Sequence, residues 1–137
     1  MKKLLLLRHA KSSWQDASLT DFERPLNKRG LRAAPVIGKF MKERGLRPSL
    51  VLASPAQRAR DTAKLALEAG GIETLLRYEA RIYEADVPTL IEVIRQIEET
   101  FDEVMLVGHN PGFEELLGFL TGEQFDEYVQ PEKMTRP

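Results

Sequence analysis

Apolar residues in this chain occur either in short continuous runs or at helical spacing. A continuous run indicates a strand buried on both faces, as in a parallel sheet. Three such runs cover Leu4–Leu7, Ser49–Ala53 and Glu103–Val107, and a weaker one covers Leu75–Tyr78. Helical spacing predicts four helices between and after these strands. Their expected ranges are Lys28 to Arg44, Ser54 to Ala69, Val87 to Thr100 and Gly112 to Leu120.

Local signals indicate where the helices begin and which faces they bury. Asn27 is a good N-cap for the first helix, and Pro35 is expected to kink that helix or shift its start. Ser54 followed by Pro55 has the pattern of an N-cap with proline at the first helical position. The first helix is expected to bury a stripe made of Leu31, Ala34, Ile37, Phe40 and Met41.

Strands and helices alternate along the chain, which predicts an α/β fold. We expect a three-layer α/β/α sandwich with a mostly parallel central sheet and helices on both faces. The carboxyl ends of the strands line the ligand crevice in such a sheet. A long polar connection, Ala10 to Leu26, follows the first strand at that edge, and connections of this length are usually functional or disordered. Residues 80–86 are expected to form a loop, and residues 122–137 show no regular pattern.

The length and composition narrow the class of protein. A chain of 137 residues is expected to form a single domain, residues 1–137. The net charge of −1 argues against a nucleic-acid partner, which favours a basic surface. With no cysteine, disulfides, thiolate metal sites and cysteine nucleophiles are excluded. No apolar run approaches the ~20 residues of a membrane span. We therefore expect a cytoplasmic protein with no membrane partner.

Residues suited to binding phosphate follow three of the predicted strands. Arg8 and His9 follow the first strand, Arg58 lies one turn into the helix after the second, and His109 follows the last. Arginine donates parallel hydrogen bonds to phosphate, and helix N-termini add N–H groups and partial positive charge. Because the carboxyl ends of parallel strands share one edge, these side chains are expected to converge. The pattern predicts an anion site that needs no metal or other cofactor.

Each of these residues also has a structural interpretation. The pair formed by Arg8 and His9 could bond strand-end carbonyls, Arg58 could be a surface charge of its helix, and His109 could be a buried, hydrogen-bonded histidine. The occurrence of all of them at strand ends favours function. Ser54 is interpreted as a helix cap, and Trp14 as a residue that packs its loop.

Three motifs resemble the histidine phosphatase superfamily, the phosphoglycerate-mutase-like enzymes. They are Leu-Leu-Arg-His near the start, Ser-Pro-x-x-Arg-Ala-x-x-Thr-Ala after a strand, and Val-Gly-His-Asn-Pro after a later strand. The stretches Arg-His-Ala-Lys-Ser-Ser-Trp and Asp-Phe-Glu-Arg-Pro-Leu-x-x-Arg-Gly resemble its SixA-type phosphohistidine phosphatase branch. The resemblance extends from Lys3 to Thr121. It implies a phosphoglycerate-mutase-like fold.

The resemblance also implies roles for particular residues. His9 would be the nucleophile that accepts the phosphoryl group, Arg8 and Arg58 would hold the phosphoryl oxygens, and His109 would contact the same oxygens. Four further residues are candidates for binding substrate: Lys11, Ser12, Ser13 and Asn110. The first three are expected at the rim of the pocket and could equally belong to a solvated loop, whereas Asn110 is interpreted mainly as a cap that fixes the His109 loop.

The basicity of the leaving group distinguishes phosphomonoesters from phosphohistidine as possible substrates. Phosphomonoesters usually need a general acid, and the carboxylates in the comparable region are Glu79, Glu84 and Asp86, of which Glu84 is the candidate acid. Phosphohistidine loses a weakly basic imidazole and needs no strong acid. We therefore favour a phosphohistidine phosphatase acting on a phosphorylated protein, such as a histidine-containing phosphotransfer domain. A small-molecule phosphomonoesterase and a non-catalytic phosphate-binding module remain alternatives.

The C-terminal stretch differs from the pattern of the resembling proteins. Those usually continue into a final strand, so residues 122–137 are expected to form an atypical or truncated edge of the domain. An uncovered strand edge would allow pairing with another chain, and the oligomeric state stays open.

Overall fold

Within residues 1–122, the central feature of the fold is a four-stranded parallel sheet. In it Lys3–Arg8 pairs with Glu103–Gly108, which pairs with Leu50–Ala53, which pairs with Leu75–Tyr78. A computed structural model describes residues 1–122. The strands are β1 (Lys3–Arg8), β2 (Leu50–Ala53), β3 (Leu75–Tyr78) and β4 (Glu103–Gly108). The helices are α1 (Lys28–Arg44), α2 (Gln57–Ala69), α3 (Val87–Arg95) and α4 (Gly112–Thr121), with 3₁₀ turns at Asp21–Glu23 and Ala80–Ile82. Residues 123–137, most of the stretch expected to form an atypical edge, lie outside the described part.

The continuous apolar runs are explained by helices on both faces of the sheet. Successive side chains of a strand point to opposite faces, so alternate residues of β2 and β4 enter different clusters. Val51 and Met105 pack with residues of α1 and α2 on one face, whereas Leu50 and Leu106 pack with residues of α3 and α4 on the other. The three-layer α/β fold predicted from the sequence is therefore confirmed.

Close contact between α1 and α2 determines which face of α1 is buried. Gly38 lies so near α2 that a Cβ atom placed on it would be 2.0 Å from the carbonyl oxygen of Ala66. The buried face of α1 consists of Gly30, Ala33, Ala34, Ile37, Gly38 and Met41. The predicted stripe is wrong at Leu31, which is 51% exposed, because the small residues beside it allow the closer approach. Pro35 lies inside α1 and does not shift the start, where Asn27 caps the N–H of Gly30 at 2.8 Å.

Two helix boundaries differ from the prediction. The second helix begins at Gln57 with Ala56 as N-cap, because Ser54 is still in the extended chain that leaves β2 and its side chain is buried. The helix α3 ends at Arg95 instead of Thr100. After Gln96 the backbone forms turns in which an N–H bonds the carbonyl three residues earlier. Ile97 is partly buried there, on the face of the sheet that α3 and α4 cover.

Within residues 1–122, no helix is both long enough and apolar enough to cross a membrane.

Gly38 provides a direct test of the contact between α1 and α2. We expect Gly38→Ala to lower the free energy of unfolding by about 1–3 kcal/mol, because the added methyl group meets backbone that cannot move aside easily. The matched control is Gly118→Ala in α4, where a Cβ atom would have no neighbour within 4 Å. That variant should be neutral or raise the free energy of unfolding by up to about 1 kcal/mol. Urea unfolding of both variants measures the difference, and equal effects would contradict the packing.

Candidate active site

The parallel sheet brings residues from three strand ends to one place. Arg8 is the last residue of β1 and His9 follows it, His109 follows β4, and Arg58 lies in the first turn of α2 after β2. Because β4 lies between β1 and β2, these three carboxyl ends are neighbours. The imidazole rings of His9 and His109 have centroids 5.1 Å apart, and Nε of Arg58 lies 3.3 Å from Nε2 of His9. The predicted crevice is therefore present in the structure.

The two ring nitrogens of His9 have different partners. Nδ1 lies 2.7 Å from the backbone carbonyl oxygen of Ala10. A carbonyl oxygen can only accept, so Nδ1 carries the proton and Nε2 has a free lone pair. Arg58 donates its Nε–H toward that lone pair. The N–H of Ala10 is itself held by Thr62 Oγ1 at 3.0 Å, which orients the carbonyl that holds His9. The site thus presents an unprotonated ring nitrogen beside a guanidinium group.

Burial and neighbouring cations keep His9 neutral. Desolvation is the main cause that lowers the pKa of His9 from 6.5 to about 4. The hydrogen bond to Ala10 opposes this shift, whereas the positive charges of Arg58, Arg8 and Arg24 add to it. At pH 7 the imidazole is therefore in the form that can act as a nucleophile.

His109 is held by a residue that sequence reasoning interpreted differently. Its Nε2 lies 2.7 Å from Oγ of Ser54, and Ser54 is fully buried. The interpretation of Ser54 as the helix N-cap is wrong, since Ala56 is the N-cap of α2. The Ser54 hydroxyl accepts from the N–H of Ala56 at 3.2 Å and contacts His109, 55 positions away along the chain. Burial, followed by the charges of His9 and Arg58, lowers the pKa of His109 to about 3. Both imidazoles are consequently neutral at pH 7.

Three functional candidates were missed by sequence reasoning: Asp21, Arg24 and Tyr83. The carboxylate of Asp21 accepts hydrogen bonds from Arg24 Nη2 at 2.9 Å, Arg58 Nη2 at 3.0 Å and the Tyr83 hydroxyl at 2.6 Å. The Tyr83 hydrogen bond is the main cause that holds the pKa of Asp21 well below its usual range, with Arg24 and Arg58 adding to it against desolvation. Burial first, and then Asp21, raises the pKa of Tyr83 to about 12. Asp21 is therefore ionised and Tyr83 protonated at neutral pH.

Arg24 links the long connection to the site. Arg24 as a whole is 7% exposed. Its guanidinium group donates to Ser12 Oγ at 2.6 Å and lies 3.4 Å from the centroid of the Trp14 ring. Trp14 is 76% exposed, and its ring covers one face of the Arg24 guanidinium group. It therefore packs against another residue of the same connection, as interpreted from the sequence. Asp21 and Arg24 belong to the Asp-Phe-Glu-Arg-Pro-Leu stretch that resembles the SixA branch. That stretch could have identified them as candidate site residues. No sequence signal pointed to Tyr83.

Five further residues predicted from the sequence lie around the crevice or in the segments next to it. Lys11 is exposed, Ser12 and Ser13 both accept hydrogen bonds from Arg24, and Asn110 accepts from the N–H of Glu114 in α4 at 3.2 Å. Glu84 is exposed, has a left-handed backbone with φ of 52° and lies next to Tyr83. Their predicted contacts with substrate stay predictions. Of the other two carboxylates considered, Asp86 caps the N–H of Thr89 in α3, and Glu79 accepts from Arg81 at 2.8 Å.

A comparison with protein families identifies the fold and its site. The profile of the histidine phosphatase superfamily, branch 1, matches residues 4–130. The chain belongs to this superfamily. The match spans β1 to α4, and therefore includes all of the residues that form the crevice. The resemblance inferred from the three motifs is confirmed at the level of the family.

Two curated relatives match the amino-acid sequence of this chain over most of its length. An uncharacterised chloroplastic protein of Arabidopsis thaliana is 34% identical over 131 residues, which cover 88% of this chain and 60% of the relative. An uncharacterised protein of Mycobacterium tuberculosis is 37% identical over 105 residues, covering 77% of this chain and 63% of the relative. The chain thus spans about three-fifths of the length of these curated relatives.

Two solved structures with folds similar to this chain are both described as SixA proteins. A protein of Agrobacterium tumefaciens, provisionally described as the phosphohistidine phosphatase SixA, is 35% identical with a TM-score of 0.83, covering 90% of this chain and 79% of that one. The protein histidine phosphatase SixA in complex with tungstate has a TM-score of 0.78, 19% identity, and coverage of 93% and 81%. At that identity the second likeness supports the fold alone.

The protonation of His9 can be measured directly. We expect its ring to keep the proton on Nδ1 from about pH 8 to about pH 5 and to titrate near pH 4, because burial disfavours the charged form. Long-range ¹H–¹⁵N correlation spectra report both the tautomer and the midpoint. The chain has two histidines, so His109→Asn leaves a single ring to assign. A midpoint between about pH 6 and about pH 7, or a proton on Nε2, would contradict the geometry.

Proposed function

We propose that this superfamily member hydrolyses phosphohistidine on proteins through a covalent intermediate on Nε2 of His9. The observation that supports this most strongly is the unprotonated Nε2 with the Nε–H of Arg58 at 3.3 Å. A nucleophile and a cation for the transferred group are thus adjacent before substrate arrives, which lowers the cost of reorganisation.

In the first half-reaction, the lone pair of His9 Nε2 forms a bond to phosphorus while the bond from phosphorus to the substrate nitrogen breaks. The leaving imidazole keeps the electron pair of the broken bond and takes a proton from solvent. Charge on the transferred oxygens is stabilised by Arg8 and Arg58. The ring of His9 becomes cationic, and its Nδ1–H remains on the carbonyl of Ala10, which stabilises that charge.

In the second half-reaction, water attacks the phosphorus atom and the bond from phosphorus to His9 Nε2 breaks. Inorganic phosphate leaves with the oxygen of the water molecule, and its surplus proton passes to solvent. The electron pair returns to Nε2, so His9 is again neutral. Arg58 and Arg8 stabilise the same phosphoryl oxygens in both half-reactions. The phosphorus atom moves only a short distance when it passes from the substrate nitrogen to His9 Nε2, and again when it passes from Nε2 to water.

The ionisation of the site favours a substrate with a good leaving group. Asp21 is held ionised by Tyr83 and two arginines, so it cannot donate a proton at neutral pH. The low pKa of His109 leaves its imidazole in the neutral form there, so it has no imidazolium proton to donate. An alkoxide leaving group needs a proton donor, whereas imidazole leaves without strong acid assistance. This supports phosphohistidine, and the similarity to the Agrobacterium protein supports the same choice.

The substrate class is tested with two donors and one inactive variant. We expect phosphoimidazole and a phosphohistidine protein to be hydrolysed with a kcat/KM well above that of an alkyl phosphate. His9→Asn should lower kcat/KM for all of them by more than about 10³-fold while the fold persists. Phosphate release and circular dichroism measure these outcomes.

Controls for that experiment separate the alternatives. Glu84→Gln should leave hydrolysis of phosphoimidazole unchanged, and a large loss with alkyl phosphate alone would identify a phosphomonoesterase with Glu84 as its acid. Acid-labile labelling of His9 from a phosphorylated donor supports the covalent step. A wild-type protein that binds phosphate without labelling or turnover would be a non-catalytic module and would contradict the proposal.

Arg58 is tested by a substitution that keeps its charge. Arg58→Lys should lower kcat/KM for phosphoimidazole by about 10³-fold, because lysine lacks the planar fork that reaches His9 and Asp21 together. Arg60→Lys, in the same helix and stacked 4.3 Å from the Tyr78 ring, is the matched control and should keep wild-type turnover. Similar losses in both variants would show a general effect on α2.

A further inference from the structure

Asp21 contacts Arg58 at two points. Its carbonyl oxygen accepts from Nη1 at 2.6 Å and its Oδ2 accepts from Nη2 at 3.0 Å. A guanidinium group is planar, so fixing its two terminal nitrogens also fixes the direction of the third N–H. That third group, Nε–H, is the one aimed at Nε2 of His9. The orientation of Arg58 toward the phosphoryl position is therefore set by Asp21.

Asp21 is itself fixed on both carboxylate oxygens. Oδ2 also accepts from the Tyr83 hydroxyl at 2.6 Å, and Oδ1 accepts from Nε and Nη2 of Arg24 at 3.2 and 2.9 Å. The Tyr83 ring packs edge-on against Phe22 at 5.2 Å and against His109 at 5.5 Å. The carboxylate cannot rotate without breaking one of these contacts. The hydroxyl of Tyr83 is thus connected to Arg58 by hydrogen bonds through Asp21, whereas its ring contacts Phe22 and His109.

The charges of the group suit a phosphoryl dianion. Arg8, Arg24 and Arg58 supply three positive charges near His9, and Asp21 supplies one negative charge. With both imidazoles neutral, two positive charges remain. A carboxylate so close to a phosphate site would repel the substrate if it faced it. Here both of its oxygens accept hydrogen bonds from two arginines and Tyr83, which offset its negative charge.

We propose that Asp21 is a positioning residue for phosphoryl transfer, and that the Tyr83 hydroxyl acts through Asp21 to keep Arg58 aligned with Nε2 of His9. This inference rests on the proposed function, in which Arg58 stabilises the transferred phosphoryl group. It assigns no direct contact with substrate to either residue. Loss of the Tyr83 hydroxyl should therefore matter only while the Asp21 carboxylate is present.

A double-mutant cycle tests this dependence. Tyr83→Phe should lower kcat/KM for phosphoimidazole about 10-fold and Asp21→Asn about 10²-fold, since small misplacements of a catalytic group have effects of this order. The combined variant should match Asp21→Asn, because phenylalanine keeps the ring contacts of Tyr83 and removes only the hydroxyl, whose hydrogen bond ends on Asp21. Two substitutions provide controls and should keep wild-type rates: Tyr78→Phe, a tyrosine stacked under Arg60, and Asp16→Asn, which contacts Ser18 in the same loop. Losses that multiply in the combined variant would overturn the proposal.

A second measurement does not depend on turnover. The ¹H–¹⁵N resonance of Arg58 Nε, assigned by its loss in Arg58→Lys, should shift in Tyr83→Phe and broaden or move further in Asp21→Asn. Unchanged resonances in both variants would overturn the positioning role even if the rates fell. If Asp21→Asn does not fold, Tyr83→Phe decides by its rate and its Arg58 resonance together.

The same experiments separate this proposal from the proposed function. A wild-type protein that neither turns over phosphoimidazole nor binds orthovanadate would refute the function, whereas an Arg58 resonance that still responds to Tyr83→Phe would support the alignment. Normal wild-type turnover with no effect of Tyr83→Phe would refute the positioning role and leave the function intact.

Discussion

The parallel register of β1, β4 and β2 is the constraint on which the candidate site depends. Arg8 pairs with Gly108, and Ala53 pairs with Val107 in the neighbouring strand. The residues that follow these strands therefore leave the sheet side by side, although they are far apart along the chain. A shift of one residue in any of the three strands would turn alternate side chains to the wrong face. The two apolar layers that oppose such a shift thus also place the imidazoles.

The site combines buried imidazoles with several guanidinium groups, which is unfavourable for charged histidine. Desolvation and repulsion both stabilise the neutral ring, so the guanidinium groups suited to an anion also favour the form of His9 that the proposed reaction needs. The carbonyl of Ala10 determines which nitrogen remains free, and Thr62 of α2 holds Ala10. The packing of α2 on one face of the sheet therefore helps to determine which tautomer the His9 ring adopts.

The long connection between β1 and α1 has a structural role that polar composition did not reveal. Its 3₁₀ turn at Asp21–Glu23 places one carboxylate between two arginines and a tyrosine. Close to α1, the carbonyl of Lys11 accepts from the N–H of Asn27 at 2.9 Å, which secures the connection beside the sheet. The loop is therefore part of the site, and it supplies the contacts that orient a residue of α2.

The sequence by itself determined the alternation of strands and helices along the chain and the three-layer architecture. It also determined that Arg8, His9, Arg58 and His109 lie at or just after strand ends. These features could be predicted because burial periodicity and motif spacing are local properties. Only the tertiary structure decided which face of α1 is buried, that α3 ends at Arg95, and that Ser54 contacts His109 instead of capping a helix. It also brought Tyr83 to Asp21, 62 positions away. These outcomes depend on close approach between distant segments, and no local pattern encodes how near two backbones or side chains will come.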